Sequence, residues 1–231
     1  MVYPNNKGEE LSCVEIDGKV WQVLLMEYSE GNQSNDYPED LLIELAQMQA
    51  KMHILGIEFS KRSQKHTATL EELYDTMWPD EKEVGLILRY NLSTKEFIRN
   101  GREIHIKINP ELPHGYNHLD IDFEGNVLVK NNHIEAILDF DDLCYSACVI
   151  CLGYTVWHIL FITNDLEKVD LYLSEYQKVR KLTSLELEAL PEIMLFRNYV
   201  IGIIELELWK NYDRVKTIVD LEKQIKETTF I

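Results

Sequence analysis

The sequence predicts an α+β fold, mainly helical, with short hairpins at two places. Three observations predict it. Asp17-Gly18 lies between two apolar runs near the N-terminus. Apolar residues from Leu41 to Leu55 recur at helical spacing. Two short β-branched runs, set among prolines and glycines, precede a long helical stretch. The 231 residues suit one domain or two small ones, with enough length to bury a core.

The elements follow in order. Val14-Glu15-Ile16 and Val20 to Met26 form a hairpin, because Asp-Gly accepts the positive φ angles of a two-residue turn. A polar loop leads to Pro38-Glu39-Asp40, a favourable first helical turn since carboxylates suit the positive end of a helix. Leu41, Leu42, Leu45, Met48, Met52 and Leu55 line one face, and Gly56 marks the expected stop. Residues 57–68 read as a surface loop, and residues 70–108 as two or three further helices. Pro110, Pro113, Gly115 and Gly125 then punctuate irregular backbone. Val127-Leu128-Val129 and Ile134 to Leu138 make a second small hairpin. From Cys148 onward the pattern is helical, with Trp157, Leu160, Leu171, Tyr172, Leu173, Tyr176, Leu195, Ile203 and Leu206 as expected core.

The chemistry concentrates around this second hairpin. His118-Leu119-Asp120 opens a loop that ends at Asn126, and the returning strand ends in Asp139-Phe140-Asp141-Asp142. Phosphoryl transfer needs a carboxylate to accept the proton of the attacking hydroxyl and oxygen ligands to hold Mg²⁺. A hairpin between Asn126 and Asp139 would bring two oxygen ligands beside one candidate base.

These residues resemble the paired loops of the aminoglycoside phosphotransferase and choline kinase-like family, which show His-x-Asp, then Asn, a short strand, a turn, and a strand ending Ile-Asp-Phe or Ile-Asp-Trp. The resemblance extends to Leu45 to His53, similar to the first helix of that family's large lobe, and to Val23 to Gly31, similar to its last small-lobe strand and hinge. It implies a protein-kinase-like fold, with residues 1–31 a remnant of the nucleotide-binding small lobe and hinge, and residues 32–231 a helical catalytic lobe. It further implies an ATP- and Mg²⁺-dependent phosphotransferase acting on a small-molecule hydroxyl, such as that of an aminoglycoside, choline or homoserine. Asp120 would be the catalytic base and His118 its brace. Asn126 and Asp139 would hold Mg²⁺. Backbone groups of Glu27 and Tyr28 would meet the adenine, and Asp141 would support the loop.

Three departures from the family pattern carry expectations of their own. The Asp120-to-Asn126 spacing is one residue longer than usual, so the loop must bulge, and Asp122 competes as the base. Cys151-Leu152-Gly153 stands where the family often has Asp-Leu-Ala. The hinge strand begins about twenty residues into the chain, with no Gly-rich phosphate loop or helix before it. Lys7 and Lys19 do not sit in the context of the family's phosphate-binding lysine, and phosphate binding depends on these parts. The enzyme reading holds if the gene continues upstream or a partner chain supplies the missing lobe; the competing expectation is an inactive remnant or pseudokinase, either a binding module or one piece of a split protein.

Composition narrows the partners. With 40 acidic residues against 23 basic ones, the net charge of −17 argues against nucleic acid, which needs a basic surface. That charge favours a cationic acceptor or serves only solubility. No long apolar run suggests a membrane span, and MVYPNNKGEE does not resemble a signal peptide, so the expectation is a cytoplasmic protein with Cys13, Cys144, Cys148 and Cys151 reduced. The C-x₃-C-x₂-C spacing of Cys144, Cys148 and Cys151 could hold an iron–sulfur cluster, but it leads into an apolar helix where thiols act as small hydrophobes. His118, Asp120 and Asp122 could form a hydrolytic metal site, but no further histidine motif supports it. His53, on an apolar helix face, reads as a buried structural residue. Glu205 and Glu207 read as part of a solvated helix face.

Overall fold

The computed structural model describes residues 2–62, 109, 111–140, 143–205 and 211–228. The helices expected within 70–108 lie outside the described residues, as do Asp141, Asp142, Leu206 and Glu207. The chain begins with three antiparallel strands, β1 (Val2–Tyr3), β2 (Leu11–Ile16) and β3 (Lys19–Met26), ordered β1-β3-β2. Asp17 and Gly18 have φ angles of 52° and 75°, so the Asp-Gly turn forms where the sequence places it. β1 was not expected from the sequence; two residues are too few to show a period. Large apolar side chains stand exposed on both faces of this sheet, among them Val20 at 70% and Leu25 at 65%.

Helix α1 (Glu39–Ser60) follows, with Glu39 and Asp40 in its first turn. Gly56 does not end it. The helix runs four residues further, and a Cβ at Gly56 would lie 2.1 Å from the Tyr116 carbonyl oxygen. Tyr116 sits on β4 (His114–His118), where a Cβ on Gly115 would in turn come within 2.7 Å of the Ile57 amide nitrogen. Gly56 is therefore a packing glycine that allows backbone-to-backbone contact between helix and strand.

Strands β5 (Val127–Lys130) and β6 (His133–Ile137) form the expected hairpin, closed by Asn131 and Asn132 at φ 52° and 62°. Asparagine tolerates this left-handed region better than most residues. β7 (Leu143–Ala147) pairs antiparallel with β4, from His114 opposite Ala147 to His118 opposite Leu143. This two-stranded sheet was missed in the sequence, where Pro113 and Gly115 read only as irregular backbone.

Among the described residues, four helices follow β7: α2 (Cys148–Thr163), α3 (Leu166–Val179), α4 (Ser184–Ile204) and α5 (Tyr212–Glu227). Trp157, Leu160, Tyr172, Leu173, Tyr176, Leu195 and Ile203 are buried as expected, while Leu171 is half-buried. Glu205 corrects the reading of a solvated face: it is 1% exposed and pairs with Arg214 at 3.0 Å.

A second buried carboxylate organises the α3–α4 corner. Glu186 closes a capping box with Thr183 and bonds Arg180 at 2.7 Å, and all of its side chain is inaccessible. Removing it would strand the Arg180 charge in the interior. Glu186→Ala is expected to cost about 3–5 kcal/mol, read by urea denaturation.

His53 is buried in α1, with Nδ1 2.6 Å from Tyr176 Oη. That oxygen also accepts from Arg180 Nη1 at 3.0 Å, so His53, Tyr176 and Arg180 form one buried hydrogen-bonded chain. Burial, reinforced by the nearby Arg180 charge, holds the His53 pKa down at about 3. The folded protein therefore keeps His53 neutral where the unfolded chain takes up a proton. Stability should be lost as pH falls from about 6.5 toward 3, with a slope contribution of up to about 1.4 kcal/mol per pH unit. His53→Gln should flatten the stability slope between pH 7 and pH 5, whatever it does to stability at pH 7.

Candidate active site

β4 delivers His118 to the edge of the loop, and β5–β6 returns the chain past it. His118 is 1% exposed and bridges both segments. Its Nδ1 accepts from the Asp120 amide at 3.2 Å, so Nε2 carries the proton and donates to the Leu138 carbonyl at 2.7 Å. The ring is thus neutral and ties the segment before Asp139 to the segment holding Asp120. The Cys151 thiol donates to the His118 carbonyl at 2.6 Å from the opposite side. Burial raises the Cys151 pKa well above the ordinary thiol value, keeping the donor protonated. Cys151 therefore meets the loop at the position where the family resemblance led to a carboxylate being expected.

The longer loop is accommodated by turning back on itself. The amides of Asn126 and Val127 both donate to the Asp122 carbonyl, at 3.2 and 2.9 Å. The Asp122 carboxylate accepts from the Gly125 amide at 2.5 Å and is 9% exposed. Burial and the neighbouring Asp120 charge raise its pKa. Asp122 is thus folded inward as a loop staple. Asp120 is the carboxylate left open, with its side chain 40% exposed.

Asn126 lies beside it. Its Nδ2 donates to the Asp120 carbonyl at 2.9 Å and to Asp120 Oδ2 at 3.3 Å, which leaves the Asn126 side-chain oxygen as an acceptor. The Leu138 amide donates to the Asn126 carbonyl at 2.8 Å, continuing the β5–β6 ladder to the mouth of the hairpin. Asp139 follows, exposed, at φ 60°. An aspartate in the left-handed region is uncommon and concentrates at functional sites. The structure therefore brings His118, Asp120, Asn126 and Asp139 together. Asn126 and Asp139 offer the hard oxygen donors that Mg²⁺ takes, which fits a metal shared with phosphate oxygens. Among the described residues no group of three His, Cys, Asp or Glu could hold a metal alone, and burial pushes the Cys148 thiol up to about 11, away from thiolate chemistry.

Glu27 and Tyr28 lie on the segment after β3, with Tyr28 85% exposed. This segment then crosses the hairpin. Asn32 and Val129 exchange both backbone hydrogen bonds, at 2.8 and 2.9 Å, and the Ser34 amide donates to Phe123 O at 2.8 Å. A Cβ on Gly31 would lie 2.8 Å from Leu128 Cβ, so only glycine permits the approach.

Arg197 of α4 was not singled out in the sequence. Its Nη2 donates to Asp120 Oδ1 at 2.8 Å, and its guanidinium lies 4.6 Å from the Tyr154 ring centroid. The available signal was the charged residue of a polar pair, Arg197-Asn198, set between the apolar runs Met194-Leu195-Phe196 and Tyr199-Val200-Ile201.

The model of a phosphotransferase enzyme family matches residues 11–186. No curated protein matches the sequence. Among solved structures, an amicoumacin kinase, hAmiN, in complex with AMP-PNP, Ca²⁺ and Ami is similar with a TM-score of 0.71 at 15% identity, covering 99% of this chain and 72% of that one. An aminoglycoside phosphotransferase from Alicyclobacillus acidocaldarius follows with a TM-score of 0.65 at 12% identity, covering 98% and 77%. A microcompartment-associated aminopropanol kinase has a TM-score of 0.61 at 17% identity, covering 94% and 70%. At these identities the likeness is one of fold, the protein-kinase-like fold of small-molecule phosphotransferases. Among the described residues no helix is long and apolar enough to cross a membrane.

Proposed function

The chain belongs to the phosphotransferase enzyme family, and on that footing we propose that it transfers the γ-phosphate of ATP to a hydroxyl group of a small molecule. The observation that carries this reading is the open Asp120 carboxylate beside Asn126 and Asp139 at one hairpin mouth. Asp120 accepts the proton of the acceptor hydroxyl as its oxygen attacks the γ-phosphorus. The bond from that phosphorus to the bridging oxygen breaks, ADP leaves, and the proton passes from Asp120 to solvent. Asn126 and Asp139 would hold Mg²⁺, which when bound neutralises phosphate oxygens. His118, locked as the neutral tautomer, keeps the base segment and the Asp139 segment in fixed relation. The backbone of Glu27 and Tyr28, entering the crossing over β5, would meet the adenine. The named relatives act on amicoumacin, aminoglycosides or aminopropanol, which supports an amine-bearing alcohol as acceptor, and the acidic chain is compatible with its charge.

The test is a titration with AMP-PNP, with and without Mg²⁺, on this chain and on Asp139→Ala. Mg²⁺-dependent binding that weakens about tenfold or more in the variant, or 1.4 kcal/mol, is expected. No Mg²⁺-dependent binding to the unaltered chain would overturn the ATP-dependent reading. An acceptor screen with spectinomycin, choline and aminopropanol, read as ADP formed from ATP, then sorts the alcohols.

A further inference from the structure

We propose that Arg197 is the positioning residue for Asp120, holding from the C-terminal helices the carboxylate that meets the acceptor hydroxyl; the inference rests on the assignment of Asp120 as base. Asp120 sits on irregular backbone, and an exposed aspartate there has several staggered rotamers open to it. Arg197 removes that freedom with a charge-assisted bond of 2.8 Å to Oδ1. Among the described residues, Oδ2 takes only the long 3.3 Å bond from Asn126, so it is the oxygen open to an incoming hydroxyl.

The guanidinium is itself fixed. It lies 4.6 Å from the ring centroid of Tyr154 and 6.0 Å from that of Trp157, both buried on α2. Its side chain is 15% exposed against 40% for Asp120. A planar group stacked on an aromatic face keeps its N–H edge in a set direction, which a lysine ammonium cannot reproduce. Two helices from the far end of the chain thus determine where the base points. The separation of 77 residues means that neither partner depends on the other for local structure. Arg197 also sets one positive charge against Asp120 where Asp122 and Glu124 lie close by, easing approach of an anionic triphosphate.

The test has two arms on the full chain. In ¹⁵N-arginine-labelled protein, restricted rotation of the Arg197 Nη groups should give separate N–H signals, identified by their absence in Arg197→Lys. Asp120→Ala should collapse them; unchanged signals would overturn the proposal. This arm decides the matter even if the chain forms no ADP, an outcome that would count against the phosphotransferase reading alone. In the kinetic arm, ADP formation from ATP and Mg²⁺ is followed with spectinomycin, choline or aminopropanol, and with water alone. Arg197→Met should lower kcat about 10- to 100-fold, the scale expected when a reacting group is misplaced, with the Kd for Mg²⁺–AMP-PNP within about twofold of the parent. Arg197→Lys should recover part of the loss. An unchanged kcat would overturn the proposal, and a raised one would show instead that Arg197 restrains the base.

Discussion

Asp120→Ala is expected to lower turnover by about 10²- to 10⁴-fold while leaving Mg²⁺-dependent nucleotide binding intact. The separation of effects follows from where the groups sit. Asn126 and Asp139 occupy the hairpin mouth, and their approach depends on the β5–β6 ladder and on the bond from the Leu138 amide to the Asn126 carbonyl. None of these contacts uses the Asp120 carboxylate. Among the described residues its side-chain partners are Arg197 and, at 3.3 Å, Asn126 Nδ2. Nucleotide titration and ADP formation on the same preparation measure both halves. Retained turnover would remove Asp120 as base. Asp122 is a poor substitute, because its carboxylate is turned into the loop and bonded to the Gly125 amide.

Gly56→Ala is expected to destabilise the protein by about 3 kcal/mol or more, among the largest effects of any single methyl group in this fold. The added Cβ would meet a backbone carbonyl oxygen at 2.1 Å, and backbone cannot rotate away as a side chain can. Relief requires α1 to move off β4. β4 ends in His118, whose backbone carbonyl and ring nitrogens position the Asp120 and Asp139 segments. The variant should therefore lose activity at temperatures where it is still largely folded. Urea denaturation at 25 °C measures the first effect, and ADP formation the second. Wild-type stability in Gly56→Ala would show that α1 and β4 separate without cost.

The candidate site was legible to the extent that it is local. Asp17-Gly18 and Asn131-Asn132 adopt positive φ because of their own side chains or lack of one, so both turns are local; the first hairpin was read from its turn and the second from the β-branched runs that flank it. The order His118, Asp120, Asn126, Asp139 survives as a spatial cluster because a short hairpin folds the sequence back on itself. The extra residue between Asp120 and Asn126 also has a local resolution, in the carbonyl and carboxylate of Asp122.

What failed to show was long-range. Gly56 has the local signature of a helix stop, and the opposing Gly115 that turns it into a contact point lies 59 residues away in the numbering. Glu205 and Glu207 alternate with leucines as the polar positions of a mixed helix surface would, yet Glu205 is buried against Arg214. β4 and β7 are too short to carry a period, and each becomes a strand only by pairing with the other.

The sequence by itself determined the family, the two hairpins, the first helix and the four residues around which the chemistry is proposed. Turn chemistry and periodic burial act over a few residues, and those are the forces a linear chain displays. The tertiary structure alone decided that Arg197 holds Asp120, that Cys151 supports the His118 carbonyl and that Asp122 faces inward. Each of these is a matter of direction within a packed interior. The side chain reaches its partner only after α1, α2 and α4 have closed around the loop, and no residue type announces in advance which way it will point.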